Sequence, residues 1–211
     1  MAILVTGFDT FGKLAFNPTE MIVAQLAPDP RTTVGEEFHC HMLPTAYDKA
    51  ANDINALIGE TRPSILLGLG VSTKRDKICL ERFALNLDDA AIEDNVGCIR
   101  RGEEIVRGGP AALKTNVDIV AVLNRLTDAG VPAEISNHAG TFVCNHVYYR
   151  ALRRLEKELP HVRCLFVHVP MPAVDTATSQ ASSKTPWSMA DLLQATHWIL
   201  AELVRQRGEE S

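Results

Sequence analysis

Cys144 stands where a helix is expected to begin. It follows the turn-forming stretch 137–141, and a helical stripe of apolar residues comes after it. In the first turn of a helix, free backbone N–H groups and the positive end of the dipole stabilise a thiolate. The spacing therefore predicts Cys144 as a nucleophile, although a small buried hydrophobe is the more usual role of a free cysteine. The stripe consists of Val147, Ala151, Leu155 and Leu159.

A thiolate nucleophile needs an imidazole partner, and His168 is the best-placed histidine. It lies near the carboxyl end of an apolar run over 163–169, and α/β sheets place their ligands at that edge. The alternative role for His168 is a core histidine bonded to backbone. His146 is a poorer partner for Cys144, because residues i and i+2 of a helix point about 200° apart.

The third candidate is Glu81, in a segment over 78–87 that alternates with the period of a strand. The alternation puts its carboxylate among apolar neighbours, where it needs a partner. A histidine held by such a carboxylate is kept in one tautomer and stabilised as imidazolium, as a catalytic triad requires. An ion pair with Arg75 or Arg82 fits this segment equally well, and spacing alone does not show which partner Glu81 meets. The same face carries Cys79, Phe83 and Leu85.

The cysteine and histidine spacing does not predict a metal site. The five cysteines form an odd, widely spaced set without a C-x-x-C pair, which argues against a zinc site or a redox dithiol and favours a reducing cytoplasm. Two histidines, His39 and His41, share one strand face, but no third ligand is evident. We therefore expect no metal or cofactor, and structural roles for Cys40, Cys79, Cys98 and Cys164.

The elements that would position these side chains alternate in type along the chain. With 211 residues, 46% of them hydrophobic and 22% charged, the sequence fits one globular domain over residues 1–211. Apolar runs alternate with helix-period segments, which predicts an α/β fold with a mostly parallel, mixed sheet between helices. Two long loops, 93–110 and 170–184, are candidate lids. We expect strands at 2–6, 38–43, 64–69, 78–87, 133–136 and 163–169. We expect helices from Pro18 with Asn17 as cap, at 47–58, 118–128 and 144–159, and from Pro186 with Thr185 as cap.

Charge and hydropathy exclude two classes of partner. A formal charge of −5, a pI near 5.8 and the absence of long basic runs argue against nucleic acid. The apolar start of the chain lacks a basic leader and is too short for a signal peptide, and about 18 consecutive apolar residues occur nowhere. We therefore expect neither export by that route nor a membrane-bound protein.

A competing motif follows the first predicted strand. Residues 7–13 read Gly-Phe-Asp-Thr-Phe-Gly-Lys and match the phosphate-binding pattern G-x-x-x-x-G-K. Leu14 then stands where a serine or threonine must contact magnesium, so a nucleotide-binding enzyme is the weaker alternative. Phe8 and Phe11, at the carboxyl edge of the sheet, instead suggest an apolar pocket wall.

Several of these segments resemble pyroglutamyl peptidase I, also called pyrrolidone-carboxylate peptidase, a family of cytosolic cysteine peptidases. The resemblance covers nearly the whole chain, and the segment around Cys144 is its most specific part. The matching segments are Thr6-Gly7-Phe8-Asp9-Thr10-Phe11-Gly12 with Asn17-Pro18, Glu81-Arg82-Phe83-Ala84-Leu85-Asn86, Asp94-Asn95, Gly109-Pro110-Ala111-Ala112, Ala139-Gly140-Thr141-Phe142-Val143-Cys144-Asn145-His146, and Phe166-Val167-His168-Val169-Pro170.

The resemblance implies an omega-peptidase that removes N-terminal pyroglutamyl residues from peptides. Carried over to matching positions, its triad falls on Cys144 as nucleophile, His168 as base and then acid, and Glu81 as the group that orients the histidine. It also implies an α/β/α sandwich like that of the purine nucleoside phosphorylases, and commonly a homotetramer. The residues that match the family's apolar pocket for the pyroglutamyl ring are Phe8, Phe11, Thr45, Ile92, Phe142 and Val143.

Three departures from the family pattern keep a second alternative open. The family usually carries an arginine where this chain has Ala91, and it usually reads Gly-Gln-Ala-Gly-Gly where this chain has Gly-Val-Ser-Thr-Lys at 70–74. A second glycine after Gly12 is replaced by Lys13. These changes predict one altered pocket contact and lower efficiency. The alternative is a catalytically weakened or repurposed relative that binds an N-capped peptide or a small lactam.

Overall fold

The computed structural model describes residues 2–12, 14–26, 37–173 and 187–208. Its strands are β1 Ala2–Phe8, β2 Glu37–Leu43, β3 Ile65–Ser72, β4 Ile78–Glu81, β5 Phe83–Leu85, β6 Ala112–Lys114, β7 Ala133–Ser136 and β8 Arg163–Pro170. Its helices are α1 Pro18–Gln25, α2 Tyr47–Thr61, α3 Ile119–Asp128, α4 Val143–Glu158 and α5 Met189–Gly208.

Six strands form one sheet in the order β2-β1-β3-β8-β4-β7. The pairs β1–β2, β1–β3, β3–β8 and β4–β7 are parallel, whereas β4 is antiparallel to β8. The strands β4 and β7 therefore run opposite to the other four. The short strands β5 and β6 form a separate antiparallel pair. This arrangement confirms the predicted α/β class with a mostly parallel, mixed sheet.

The two faces of the large sheet carry separate apolar cores. Helices α1, α3 and α5 cover one face, and α2 and α4 cover the other. Strand β8 is buried along almost its whole length, as its apolar run predicts. Its side chains alternate between the cores, with Leu165 and Val167 toward α1, α3 and α5, and Phe166 toward α2 and α4. His168, two residues after Phe166, shares the face covered by α4.

The single strand predicted over 78–87 is wrong, because the chain leaves the large sheet at Arg82. The Arg82 N–H donates to the carbonyl of Ser136, the last residue of β7, while the Arg82 carbonyl accepts from the N–H of Thr115, which follows β6. One residue thus joins the two sheets, and Phe83 and Leu85 do not continue the face that carries Glu81. The strand β6 was not predicted, because three residues are too few to establish a period.

Helix α5 begins later than predicted. Thr185 and Pro186 lie outside the described residues, and the helix starts at Met189. The Ser188 hydroxyl accepts a hydrogen bond from the Asp191 N–H at 3.1 Å, and the Asp191 carboxylate accepts one from the Ser188 N–H at 2.9 Å. This reciprocal cap satisfies two N–H groups at once. Across the described ranges, neither α5 nor any other helix combines the length and apolar character needed to cross a bilayer.

Candidate active site

His168 lies in the middle of the large sheet, near the carboxyl end of β8. Its backbone is paired with Gly70 of β3 on one side and with Cys79 of β4 on the other. Only 7% of the residue is exposed. This position confirms the predicted placement of the histidine at the edge where parallel strands end.

Glu81 reaches His168 because β4 runs antiparallel to β8. The Glu81 Oε1 atom lies 2.7 Å from His168 Nδ1 and 3.2 Å from an Arg75 guanidinium nitrogen, and Glu81 is fully buried. Since a carboxylate accepts, Nδ1 carries the hydrogen and Nε2 is left facing the opposite side. The two roles considered for Glu81 thus occur together: it pairs with Arg75 and also orients the imidazole. Arg82 points elsewhere, to Asn137.

Cys144 brings its thiol to the other side of the same imidazole. It is the second residue of α4, and its Sγ atom and His168 Nε2 face the same point above Gly70. A Cβ placed on Gly70 would lie 3.0 Å from Cys144 Sγ and 3.0 Å from His168 Nε2. The thiol and the imidazole therefore converge over the bare backbone of Gly70, and a side chain at that position would separate them.

The surroundings of His168 favour its protonated form. Burial by itself lowers the pKa of His168, but the hydrogen bonds and negative charges of Cys144 and Glu81 outweigh it and raise the pKa to about 9. A histidine in this setting holds its proton at neutral pH between the Cys144 sulfur and the Glu81 carboxylate. The arrangement can therefore place a sulfur nucleophile beside an imidazolium that acts as an acid for a leaving group.

The other cysteines have different surroundings. All five cysteines are free thiols. Burial raises the pKa of Cys40 to about 11 and that of Cys79 to about 11, and it raises the pKa of Cys164 further. A thiol with a raised pKa is a poor nucleophile at neutral pH. The structural roles expected for these three cysteines agree with their burial.

The first turn of α4 leaves backbone donors beside the thiol. The helix begins after the extended residue Phe142, and its first intrahelical bond runs from the His146 N–H to the Phe142 carbonyl. The N–H groups that precede this bond have no intrahelical acceptor, and within the described part of the chain no side chain caps the helix. These donors surround Cys144 and can bind an anion.

Aromatic rings line the chain next to this turn. Phe142 packs against Phe11 with ring centroids 6.0 Å apart, and against Tyr47 edge-on at 5.5 Å. Thr45 is fixed by a hydrogen bond of 2.7 Å from its backbone N–H to the Asp9 carboxylate. An uncharged wall therefore lies close to the thiol.

The remaining predicted pocket residues occupy varied positions. Val143 is fully buried in the first turn of α4, and Ile92 is 52% exposed on the long loop between β5 and β6. Phe8 is the last residue of β1 rather than a loop residue; it is 2% exposed and packs against Phe166 in the core. The edge of the sheet therefore carries Phe11 in its loop, with Phe8 beneath it.

Comparisons with known proteins agree with this geometry. A family model described as pyroglutamyl peptidase matches residues 1–198. The chain belongs to the pyroglutamyl peptidase family. It is 38% identical to pyrrolidone-carboxylate peptidase 1 of Ralstonia nicotianae over 172 residues, covering 81% of this chain and 79% of that protein. It is 37% identical to the pyrrolidone-carboxylate peptidase of Yersinia pestis over 168 residues, covering 80% and 77% of the two chains.

Solved structures of pyroglutamyl peptidases share the fold. The pyroglutamyl peptidase I of Bacillus amyloliquefaciens superposes with a TM-score of 0.89 at 30% identity, covering 98% of each chain. The pyrrolidone carboxyl peptidase of Thermococcus litoralis superposes with a TM-score of 0.87 at 28% identity, covering 99% of this chain and 95% of that chain. The fold of this chain is therefore that of pyroglutamyl peptidase I.

Gly7 of the phosphate-loop pattern has a packing role in this pyroglutamyl peptidase fold, and the histidine pair lies on edge strand β2. Gly7 of the phosphate-loop pattern lies within β1, where an added Cβ would approach the Thr19 carbonyl to 2.9 Å, so α1 packing requires glycine. Lys13 lies outside the described residues. His39 stacks on His41 and pairs with Glu37 at 3.1 Å. In the portions of the chain that the structure describes, no group of three metal-binding side chains occurs.

Sequence reasoning missed two residues that build the site. The predicted strand ended at residue 69, but β3 continues to Ser72, so Gly70 is a strand residue facing Cys144. An isolated glycine in a buried strand is a signal of close approach, and Gly68 and Gly70 both show it. Asn145 was also overlooked: it is fully buried, and its side chain bonds the backbone of Leu85 and Leu87.

Proposed function

We propose that the chain is a cysteine peptidase that removes N-terminal pyroglutamyl residues from peptides, with Cys144 as nucleophile, His168 as base and acid, and Glu81 as the orienting carboxylate. One observation carries the assignment of residues. His168 receives a thiol on one side and a buried carboxylate 2.7 Å away on the other, each from a different element. Membership of the pyroglutamyl peptidase family supports the same activity.

The pocket proposed for the substrate ring is uncharged. We place the pyroglutamyl ring against Phe11 and Phe142, over Thr45 and Val143 and beneath the loop that carries Ile92. A pyroglutamyl ring is a lactam without a charged α-amine, so it enters an apolar site at little cost in desolvation. An ordinary N-terminus carries an ammonium group whose burial without a partner is unfavourable. Selectivity for capped peptides follows from this difference.

In the proposed acylation step, the Cys144 thiolate attacks the carbonyl carbon that joins the ring residue to the next amino acid. The electron pair of the C=O bond moves to oxygen, and free N–H groups of the first turn of α4 bind that oxyanion. Removing one such donor typically slows catalysis by about 100- to 1,000-fold. The C–N bond then breaks, and the leaving amine takes the proton from His168 Nε2. A thioester remains on Cys144.

In the proposed deacylation step, water attacks the thioester and gives a proton to His168 Nε2. The carbon–sulfur bond breaks, free pyroglutamate leaves, and the thiolate–imidazolium pair is restored. Throughout, Glu81 keeps the imidazole in the tautomer that presents Nε2 to the reacting atoms. No added group is needed to balance the reaction.

Turnover of pyroglutamyl-7-amido-4-methylcoumarin tests the proposal. We expect the wild type to release the fluorophore and Cys144→Ser to lose at least about 1,000-fold in rate, because a hydroxyl lacks the acidity of a thiol. The matched control is Cys40→Ser, in edge strand β2, which should keep wild-type turnover. Activity retained in Cys144→Ser would reject the proposed nucleophile. Wild-type binding of the lactam 2-pyrrolidone without turnover would instead identify a binding protein.

We also propose the domain organisation, the location and the assembly of the protein. Residues 1–211 form one domain, which is supported by a sheet whose strands come from both halves of the chain. The location is the cytoplasm, which is supported by five free thiols. The assembly is a homotetramer, which is supported by the apolar side chains Val96 and Ile99, 75% and 43% exposed on the long loop. Sedimentation velocity of the purified chain tests the assembly, and a monomer would exclude it.

A further inference from the structure

A second network of polar side chains contacts the first turn of α4, and the proposed chemistry does not use it. The His146 Nδ1 atom lies 2.7 Å from Asp88 Oδ2, and an Arg100 guanidinium nitrogen donates to the same oxygen at 2.9 Å. A second Arg100 nitrogen reaches Asp48 at 2.6 Å. The guanidinium carbon also lies 4.7 Å from the centre of the Tyr47 ring.

Three of these groups are buried far more than the members of ordinary surface ion pairs, whereas the Asp48 side chain is 84% exposed. Asp88 is fully buried, His146 is 3% exposed, and the side chain of Arg100 is 15% exposed. Burial alone lowers the pKa of Arg100, but its hydrogen bonds with Asp48 and Asp88 outweigh it and raise the pKa. The buried charge of Asp88 is therefore balanced by Arg100, and removing the cation leaves a carboxylate uncompensated.

The chain of contacts connects the long loop to the proposed pocket wall. Arg100 belongs to this loop, whereas Tyr47 begins α2 and His146 lies in α4. Tyr47 packs edge-on against His146 and against Phe142, with both pairs of ring centroids 5.5 Å apart. Arg100 thus holds the ring that supports Phe142, and through Asp88 it is also joined to His146, which packs on the same ring.

The loop is anchored at two further points, both of which precede Arg100 in the sequence. The Asp94 carboxylate accepts hydrogen bonds from the backbone N–H groups of Tyr47, Val96 and Cys98 at 2.8 to 3.0 Å. Earlier in the loop, the Asp89 carbonyl accepts a hydrogen bond of 2.6 Å from the hydroxyl of Thr141, the residue that precedes Phe142. The loop and the pocket wall are therefore built as one unit, with Arg100 as its charged centre.

We infer that Arg100, Asp88 and His146 are positioning residues that set the substrate pocket, and that they leave the reactivity of the thiol unchanged. The inference rests on the proposed function, since it concerns the pocket of that reaction. The network touches Phe142 through Tyr47, whereas His168, Glu81 and Gly70 approach Cys144 from the sheet. Misplacing the ring wall weakens binding of the substrate and of its transition state alike, which raises KM and spares kcat.

Arg100→Met tests the inference, with turnover of pyroglutamyl-7-amido-4-methylcoumarin and alkylation of Cys144 by iodoacetamide measured in parallel. We expect KM to rise about tenfold, while kcat and the alkylation rate constant stay within about threefold of wild type. Arg101→Met is the matched control, because Arg101 is exposed and makes no ion pair within the described stretches. It should change none of the three constants.

Arg100→Lys provides a second variant that keeps the charge. An ammonium cannot reproduce the planar fork that bridges Asp48 and Asp88, so KM should rise by a smaller factor, about threefold. This variant decides the inference alone if Arg100→Met does not fold. An unchanged KM, or a fall in kcat together with the alkylation rate, would overturn it. If the wild-type protein does not turn over the substrate, the proposed function is rejected and this inference with it. If the wild type is active, the comparison with the Arg100 variants tests this inference separately from the proposed function.

Discussion

Replacing Glu81 by glutamine removes the charge of the most buried residue of the proposed triad. The Glu81 carboxylate lies 2.7 Å from His168 Nδ1 and is fully shielded from solvent. Glutamine keeps the length and shape of the side chain and still offers an acceptor oxygen. The variant therefore separates the charge of residue 81 from its packing.

The structure sets the size and sign of the expected effect. A hydrogen bond to a charged group contributes about 1.5–3 kcal/mol and a neutral one about 0.5–1.5, so the imidazolium loses about 1–2 kcal/mol. Since one pKa unit corresponds to about 1.4 kcal/mol, the pKa of His168 should fall from about 9 by about one unit. The leaving amine needs a protonated His168, so the alkaline limb of kcat/KM should move to lower pH. At pH 7 His168 stays about nine-tenths protonated even with the lower pKa, so the rate should change little there, and it should fall about tenfold above about pH 9.

The assay is a profile of kcat/KM from pH 5 to about 10.5 with the fluorogenic substrate, a range chosen to bracket the unperturbed and raised histidine pKa values. The control is Glu158→Gln, which removes the same charge from an exposed position on α4, about 21 Å along the helix from Cys144. Its profile should match the wild type. An alkaline limb of Glu81→Gln that stays in place, or that moves to higher pH, would refute the reasoning about the charge of Glu81.

Two other substitutions test the parts that support the site. Gly70→Ala places a methyl group 3.0 Å from Cys144 Sγ and His168 Nε2, and overpacking of about 1–3 kcal/mol should lower kcat/KM by about 10- to 100-fold. The control is Gly208→Ala, where the added methyl group meets no atom within 4 Å and kcat/KM should stay unchanged. Equal effects of the two substitutions would contradict the steric argument. Asn17→Ala removes the cap of α1, which should cost about 1–2 kcal/mol and lower the Tm in a thermal melt, and an unchanged Tm would show that the cap contributes nothing.

Local patterns were sufficient for most of the elements. The cap and proline at 17–18 correctly predicted the start of α1, and the strand β7 was predicted with its observed bounds. These features depend on residues that are neighbours in the chain, so their signal is present in a short window. The start of α5 was misplaced because the reciprocal cap of Ser188 and Asp191 was overlooked in favour of Thr185 and Pro186.

The site was predicted residue by residue but not as an arrangement. The helix start at Cys144 and the strand end at His168 are local, and both were found from spacing. Whether Glu81 met a histidine or an arginine was undecided, since both partners lie outside any local period. The answer came from β4 running antiparallel to β8 and ending at Glu81. The break at Arg82 came from hydrogen bonds to two different sheets.

The amino-acid sequence by itself determined most of the strands and helices, and it determined which side chains have the chemistry of a thiol peptidase. Only the tertiary structure decided that the thiol and the imidazole meet over Gly70, that the Glu81 carboxylate reaches the other side of the imidazole, and that Arg100 is joined to the pocket wall. The physical reason is that strand pairing and burial depend on the summed packing of the whole chain, whereas caps and periods depend on a few adjacent residues.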